Sequence, residues 1–292
     1  MSAVTFRFPF PVAGRPDVSP DLTPHHVDAS LISVMDAAAE RGDGAFEAFG
    51  VIAGALQATD DHLARLAESC ALLELPEPDL DQLATICRRI AARATPGVES
   101  WLKLVVSRGG MDRSEPHAWA VLSETADFSD ARSTGLAVIA GDRGFPASYV
   151  ARERWMLFGA KTLSYAMNMA SLREAKRRGA DDMLWTTSDG FLMEAPQSTL
   201  VFRRGTTFCS PDPGIGILHG TTQRAVFRWA KQQGYTTEYG RYTRSDLLGA
   251  DAAWFTSSVR LATPLISLDG DPLTIDHALT DSINAFLLAR RD

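Results

Sequence analysis

Lysine is scarce in this 292-residue chain: Lys103, Lys161, Lys176 and Lys231 stand against 25 arginines. Cysteine is scarcer still, and Cys70, Cys87 and Cys209 are odd in number and scattered. They offer neither metal-ligand spacing nor a disulfide framework, so no metal is expected, and the thiols read as reduced and mostly buried in a cytoplasmic protein. A basic leader and a long hydrophobic run are also missing, which argues against a signal peptide and a membrane span. Positive charge is not in excess. A net charge of −7 leaves no electrostatic footprint for nucleic acid. Repeats and low-complexity tracts are absent. What is present is 45% hydrophobic residues, enough for one large core or two medium ones, and two domains are expected.

Lys176 and Lys231 fall in polar helical surroundings, where a solvated ammonium is the ordinary state. Lys161 follows the apolar run Trp155-Met-Leu-Phe158 and a Gly-Ala pair. Beyond it, Leu163, Ala166, Met167 and Ala170 recur at i, i+3, i+4 and i+7, which predicts one apolar face of a helix. Arg173, Lys176, Arg177 and Arg178 before Gly179 supply the positive last turn and the stop. Lys161 would then stand at the positive end of that helix among apolar neighbours. Both conditions lower a lysine's pKa and yield a neutral amine able to hold an aldehyde. The alternative is an exposed lysine at a helix start.

Residues 183–187 and 191–194 flank Ser188-Asp-Gly190 as a predicted hairpin, with Glu194 at the inner end of its second arm. An acid there needs a partner unless it faces water. A lysine together with a buried acid suits pyridoxal phosphate, the lysine holding the aldehyde carbon and the acid keeping the pyridine nitrogen protonated.

The rest of the chain supplies candidates for the remaining contacts. Residues 3–24 are proline-rich, an edge strand or surface arm. A strand ending at Ile52 carries Glu47, a satisfied or solvent-facing carboxylate, and Ala53-Gly54 turns it back. Thr59 is a natural N-cap for a helix with Leu63, Leu66, Ala67 and Cys70 inside. Arg65 on that helix is either a surface charge or a fork for phosphate oxygens. Asp79-x-x-Gln82 opens a second helix. Strands follow at 101–108 and 118–123, and the polar stretch 124–134 is the expected linker between domains 1–126 and 134–292. In the second domain a strand runs into a helix through Gly214-x-Gly216-x-x-x-Gly220, where Thr221 and Thr222 with backbone N–H groups form a potential anion site. The spacing is one residue too long for the dinucleotide fingerprint, leaving a dinucleotide-binding domain as a remote alternative. A further strand ends in the hydroxyls of Ser257 and Ser258.

Six stretches in order resemble the class IV aminotransferase family, the fold type IV pyridoxal-phosphate enzymes. They are Gly42-Asp-Gly-Ala-Phe-Glu47, His62-Leu-Ala-Arg-Leu66, Lys161, Gly190-Phe-Leu-Met-Glu194, Ile217-Leu-His-Gly-Thr-Thr222, and Ala250-Asp251 before Phe255-Thr-Ser-Ser258. The resemblance implies two mixed α/β domains with the cofactor, pyridoxal 5′-phosphate, at their interface, and a homodimer whose subunits both line the site. It further implies Lys161 as the Schiff-base lysine and proton shuttle, and Glu194 as partner of the pyridine nitrogen. Arg65 would bind phosphate, Leu218 would pack on the ring face, and Thr221, Thr222, Ser257 and Ser258 would complete the phosphate cradle. Gln223 stands where the family usually has Arg, Thr199 where it has Asn, and His219 where proline is common.

Branched-chain members tend to carry Gly-Gly-Asn-Tyr after the lysine, whereas Thr162-Leu-Ser-Tyr165 is closer to the lyases and D-amino-acid enzymes. The strand Trp101-Leu-Lys-Leu-Val-Val-Ser-Arg-Gly109 also resembles the lyase version. It offers Lys103 and Arg108, with Tyr165 beyond, to a dicarboxylate substrate. The resemblance therefore implies 4-amino-4-deoxychorismate lyase, which makes 4-aminobenzoate and pyruvate for folate synthesis, with an amino-acid aminotransferase as the alternative.

Overall fold

The computed structural model describes residues 3–110 and 115–291, and their contacts separate into two units. The first comprises the described residues up to Ala126, the segment Ala160–Tyr165 and the chain end from Arg290. Its sheet contains β1 (Val4–Pro9), β2 (His25–His26), β3 (Gly44–Ile52), β4 (Ala55–Leu56), β5 (Ser100–Ser107) and β6 (His117–Glu124). They lie in the order β2-β1-β6-β5-β3-β4 with antiparallel pairs throughout. Three helices accompany them: α1 (Ala37–Arg41), α2 (Thr59–Leu72) and α3 (Leu80–Ala91).

The period of two along these strands makes the sheet two-faced. Phe6, Ala45, Glu47, Phe49, Leu102, Leu104, Ala118 and Ala120 are buried on the face that α2 and α3 cover. The opposite face carries half-buried Ala48, Trp101, Lys103, Trp119 and Val121, with Phe46 and Val105 buried among them. Ala53 and Gly54, both at positive φ (51° and 76°), make the tight turn from β3 to β4 that the dipeptide promised. Asp79 caps α3, accepting from the Gln82 amide at 3.0 Å while the Gln82 side chain donates back at 2.8 Å. Thr59 is not the cap of α2. Ala58 at φ 54° takes that place and Thr59 is the first helical residue.

The segment Ala160–Tyr165 departs from expectation. It runs along the edge of β3: Ala45 bridges Thr162, the Phe46 amide donates to the Lys161 carbonyl at 3.0 Å, and the Leu163 amide donates to the Gly44 carbonyl at 2.9 Å. A Cβ at residue 44 would strike the Val106 carbonyl, so glycine is needed for the strands to close there. Lys161 is therefore extended, and it groups with the first unit rather than with the chain that follows it.

The second unit comprises Asp127–Gly159 and Ala166–Ala289. Its helices are α4 (Ser129–Thr134), α5 (Ala166–Arg177), α6 (Thr221–Gln232), α7 (Arg244–Leu248) and α8 (His277–Ala289). Because α5 starts five residues after Lys161, the expected helix-dipole effect on that amine does not arise. Nor is the expected apolar face buried: Met167 and Met169 are exposed, and Ala175 is the buried residue of α5. The stop at Gly179 (φ 77°) holds as expected. Likewise the stretch expected as a linker contains α4, which packs on the sheet of this unit.

That sheet is mixed. Its strands are β7 (Leu136–Asp142), β8 (Asp182–Thr186), β9 (Thr199–Arg204), β10 (Thr207–Pro211), β11 (Thr236–Gly240), β12 (Ala252–Ser257), β13 (Leu261–Leu268) and β14 (Asp271–Pro272). The order is β11-β10-β9-β12-β13-β7-β8, with β14 on β13. Alternation sorts the core: Phe202, Ala253 and Phe255 join Leu184 and Leu192, while Val201, Ala252 and Trp254 join Val226 of α6 and Ile283 of α8. Each such large apolar side chain contributes about 1.5–3 kcal/mol when fully buried. α6 is the crossover between parallel β10 and β11, which sets its N-terminus beyond the end of β10. The architecture is α/β in two units, as expected.

Candidate functional site

In the first unit the strand register decides which side chains meet. Phe46 lies opposite Lys161, so both project from the same face, and the Lys161 Nζ sits 4.4 Å from the centre of the Phe46 ring. Tyr165 meets the ring edge-on at 5.4 Å. Lys103, opposite Ala48, lies on that face too, its Nζ 4.5 Å from the same ring centre. The Lys161 amide donates to Ser69 Oγ at 3.0 Å, which ties the segment to α2. Lys161 is half-buried.

The helical face holds a charged cluster. Glu47 is 0% exposed and receives the Arg65 fork, Nε to Oε1 and Nη2 to Oε2, both at 2.7 Å. His62 Nδ1 lies 2.6 Å from Oε2. His62 and Arg65 are three residues apart on α2, which turns both toward β3. Burial alone would push the Glu47 carboxyl up. The charges of Arg65 and then His62 reverse this and hold it well below the ordinary carboxylate range. Burial pushes the His62 ring down, against the pull of Glu47, and the net direction is down. Arg65, only 6% exposed, is thus no surface charge but a guanidinium fixed by a buried acid. Glu47 is the satisfied carboxylate.

Arg108 is placed differently. Its fork closes on Asp43 at 2.6 and 3.2 Å, and it donates to the carbonyls of Leu73 and Glu74 at the end of α2. Behind it, buried Asp36 accepts from Ser107 Oγ at 2.6 Å and lies 3.0 Å from His117 Nε2. The acid stands between serine and histidine, so this trio braces the Arg108 turn and is not built to activate a nucleophile. Cys70 and Cys87 are free thiols pushed up to about 12 by burial.

In the second unit the hairpin forms as expected. The Trp185 amide donates to the Glu194 carbonyl at 2.9 Å, and Gly190 turns at φ 88°. Half-buried Glu194 accepts the Leu218 amide at Oε1 (3.1 Å), joining the hairpin to the loop before α6. Arg143 stacks over Trp185 at 4.2 Å, and its charge acts on Glu194. At the N-terminus of α6, Thr221 Oγ1 lies 3.5 Å from Ser258 Oγ, and Thr222 is buried beside it. A helix N-terminus with paired hydroxyls is a donor set suited to a phosphate.

The loop carrying Ser257 and Ser258 is fixed by residues that sequence patterns did not single out. Arg260 Nη2 donates to Asp182 Oδ2 at 2.8 Å and to Ser198 Oγ at 2.7 Å. Its amide donates to Ser257 Oγ at 3.2 Å, and Arg132 holds its carbonyl at 3.1 Å. The available signal was Asp182, an acid opening an apolar strand, which must find a cation if buried. Asp182 is 0% exposed, so Arg260→Met should cost about 3–5 kcal/mol of stability by stranding it. Urea denaturation checks this, and an unchanged midpoint would show that the pair does not brace the loop.

The departures from the family pattern also find structural roles. Thr199 Oγ1 occupies the space a Cβ at residue 220 would need, so Thr199 as placed requires glycine at 220. His219 Nε2 lies 3.0 Å from the Tyr239 hydroxyl, which donates to buried Gln223 Oε1 at 3.0 Å.

Comparison with known proteins adds to this geometry. Residues 44–268 match the model of the family described as amino-transferase class IV. A bifunctional aminodeoxychorismate lyase / D-amino acid transaminase of Mycobacterium tuberculosis is 39% identical over 274 residues, 89% of this chain and 95% of that protein. The fold IV-transaminase CpuTA1 from Curtobacterium pusillum matches in structure with a TM-score of 0.90 at 38% identity, covering 99% of this chain and 98% of that one. A hypothetical aminotransferase from M. tuberculosis in its PLP-bound form matches with a TM-score of 0.88 at 34% identity, over 98% and 97% of the two chains.

Proposed function

The chain belongs to the class IV aminotransferases, and we propose that within this family it acts as a 4-amino-4-deoxychorismate lyase, releasing 4-aminobenzoate and pyruvate. Its cofactor is pyridoxal 5′-phosphate. That group supplies an aldehyde for an amine and a sink for negative charge on the carbon beside it. In each unit the donor types suit that group. Lys161 would hold the aldehyde and, once freed, would carry the substrate proton. Glu194, kept in place by the Leu218 amide, would pair with the pyridine nitrogen, and Leu218 would pack on the ring face. Arg65, Thr221, Thr222, Ser257 and Ser258 would take the phosphate.

The observation that carries the lyase reading is Lys103. It is a half-buried cation with no ion-pair partner among the described residues, on the sheet face that also bears Lys161. A substrate with two carboxylates needs such a group. Tyr165 borders the same ring and is the third substrate contact. Arg108 joins them only by exchanging Asp43 for a substrate carboxylate.

A D-amino-acid transaminase is the second reading, favoured by the M. tuberculosis relative that bears both names. The test is incubation with aminodeoxychorismate, and separately with D- or L-amino acids and 2-oxoglutarate. Pyruvate release from the first mixture with no amino transfer in the second supports the lyase. Transfer without release overturns it, and both together mark a bifunctional enzyme.

We further infer a cytoplasmic homodimer. The family resemblance supports the dimer, as do the exposed apolar side chains Trp155, Met156, Met167 and Met169. Among the described residues no helix is long and apolar enough to cross a membrane.

A further inference from the structure

Resting on the assignment of Lys161 as the proton-carrying amine, we propose that Lys103 is a positioning residue whose ammonium, seated on the ring that Lys161 also touches, makes the Lys161 amine easier to deprotonate. Two strand pairings bring the groups together. Phe46 lies opposite Lys161 on one side of β3, and Ala48 lies opposite Lys103 on the other. Residues 46 and 48 share a face, so all of these side chains do. The Nζ atoms lie 4.4 and 4.5 Å from one ring centre, so they are no more than about 9 Å apart, the sum of the two distances.

The register leaves Lys103 no acid. Its cross-strand neighbours are Ala48 and Val121, and Trp101 and Val105 flank it along the strand. Burial lowers its pKa from the ordinary lysine value, and no carboxylate offsets this. On the shared face β3 presents Phe46, Ala48 and other residues without a titratable group, since Glu47 points to the helical side and is bound by Arg65 and His62. α2 contributes His62 and Arg65, and His62 is close enough to feel the Lys161 charge. The segment itself contributes Tyr165. Lys103 is the added cation on the lysine's own side of the sheet. At that separation and an effective dielectric of 20–40, a unit charge moves a neighbouring amine by about one pH unit. This supplies the depression that a helix dipole does not.

The holoenzyme and its Lys103→Met and Lys103→Arg variants test this by titrating the visible absorbance of the bound cofactor. In parallel, competitive acetylation of the cofactor-stripped full-length chain across pH, read at the Lys161 peptide by mass spectrometry, titrates the amine without the cofactor. Lys103→Met should raise both midpoints by about one unit, and Lys103→Arg, which keeps the charge, should leave them near wild type. Lys103→Gln gives the same reading as Met should the Met variant fail to fold. Midpoints unmoved in the uncharged variants would overturn the proposal, and a raised KM beside unmoved midpoints would reduce Lys103 to a carboxylate ligand. Borohydride fixation that labels a residue other than Lys161 would remove the cofactor assignment, while the acetylation midpoints would still report on the amine pair.

Discussion

Lys161→Ala should lose turnover by a factor on the order of 10³ or more while the chain stays folded. Its amide bond to Ser69 Oγ and the bond its carbonyl accepts from the Phe46 amide are main-chain and survive truncation. The lost part is the amine on the Phe46 ring, the group proposed both to hold the aldehyde and to carry the proton. Circular dichroism should therefore match wild type. Borohydride should fix cofactor to the wild-type protein at this residue and leave the variant unlabelled. A Lys161→Ala protein with ordinary turnover would contradict the assignment outright.

Glu47→Gln should cost about 3–5 kcal/mol at neutral pH, because it leaves the Arg65 guanidinium buried without its acid. The sign of the pH dependence follows from the two shifts. Glu47 is held below its unfolded value, so its contribution is full above the ordinary carboxylate range and is lost as pH falls toward its folded value. His62 is also held below its unfolded value, so the unfolded chain binds more protons and stability falls below about pH 6.5. Urea denaturation of the wild type should thus show declining stability below that pH. The gap between wild type and Glu47→Gln should close below about pH 4, where the unfolded wild type takes up its proton. The variant should also release cofactor faster on dialysis, since Arg65 is no longer held. Equal stability of the two proteins at pH 7 would show that the cluster does not anchor α2 to β3.

Local chemistry was legible wherever a few adjacent residues settle a conformation. Ala53-Gly54 made its hairpin and Asp79 with Gln82 made its cap, because each is satisfied by neighbours in the chain. The order of short motifs was enough to identify the family and its cofactor. The helix expected at Lys161 was misjudged for a definable reason. Leu163, Ala166, Met167 and Ala170 satisfy a helical period, but the edge of β3 offers residues 161–163 backbone partners that an isolated segment lacks. Pairing overrode periodicity, and helix formation began only at Ala166.

Composition and motif order, then, singled out an amine, an acid and an arginine as candidates for one cofactor, since those are properties of residue type and spacing. Long-range pairing assigned them their surroundings. It buried Glu47 against Arg65, engaged Arg108 with Asp43, and put Lys103 on the ring that Lys161 touches. Those outcomes depend on which strands lie side by side and on which face each residue emerges. Neither is encoded in any short window of the chain, because a shift of one residue in register would send every one of these side chains to the other side of the sheet.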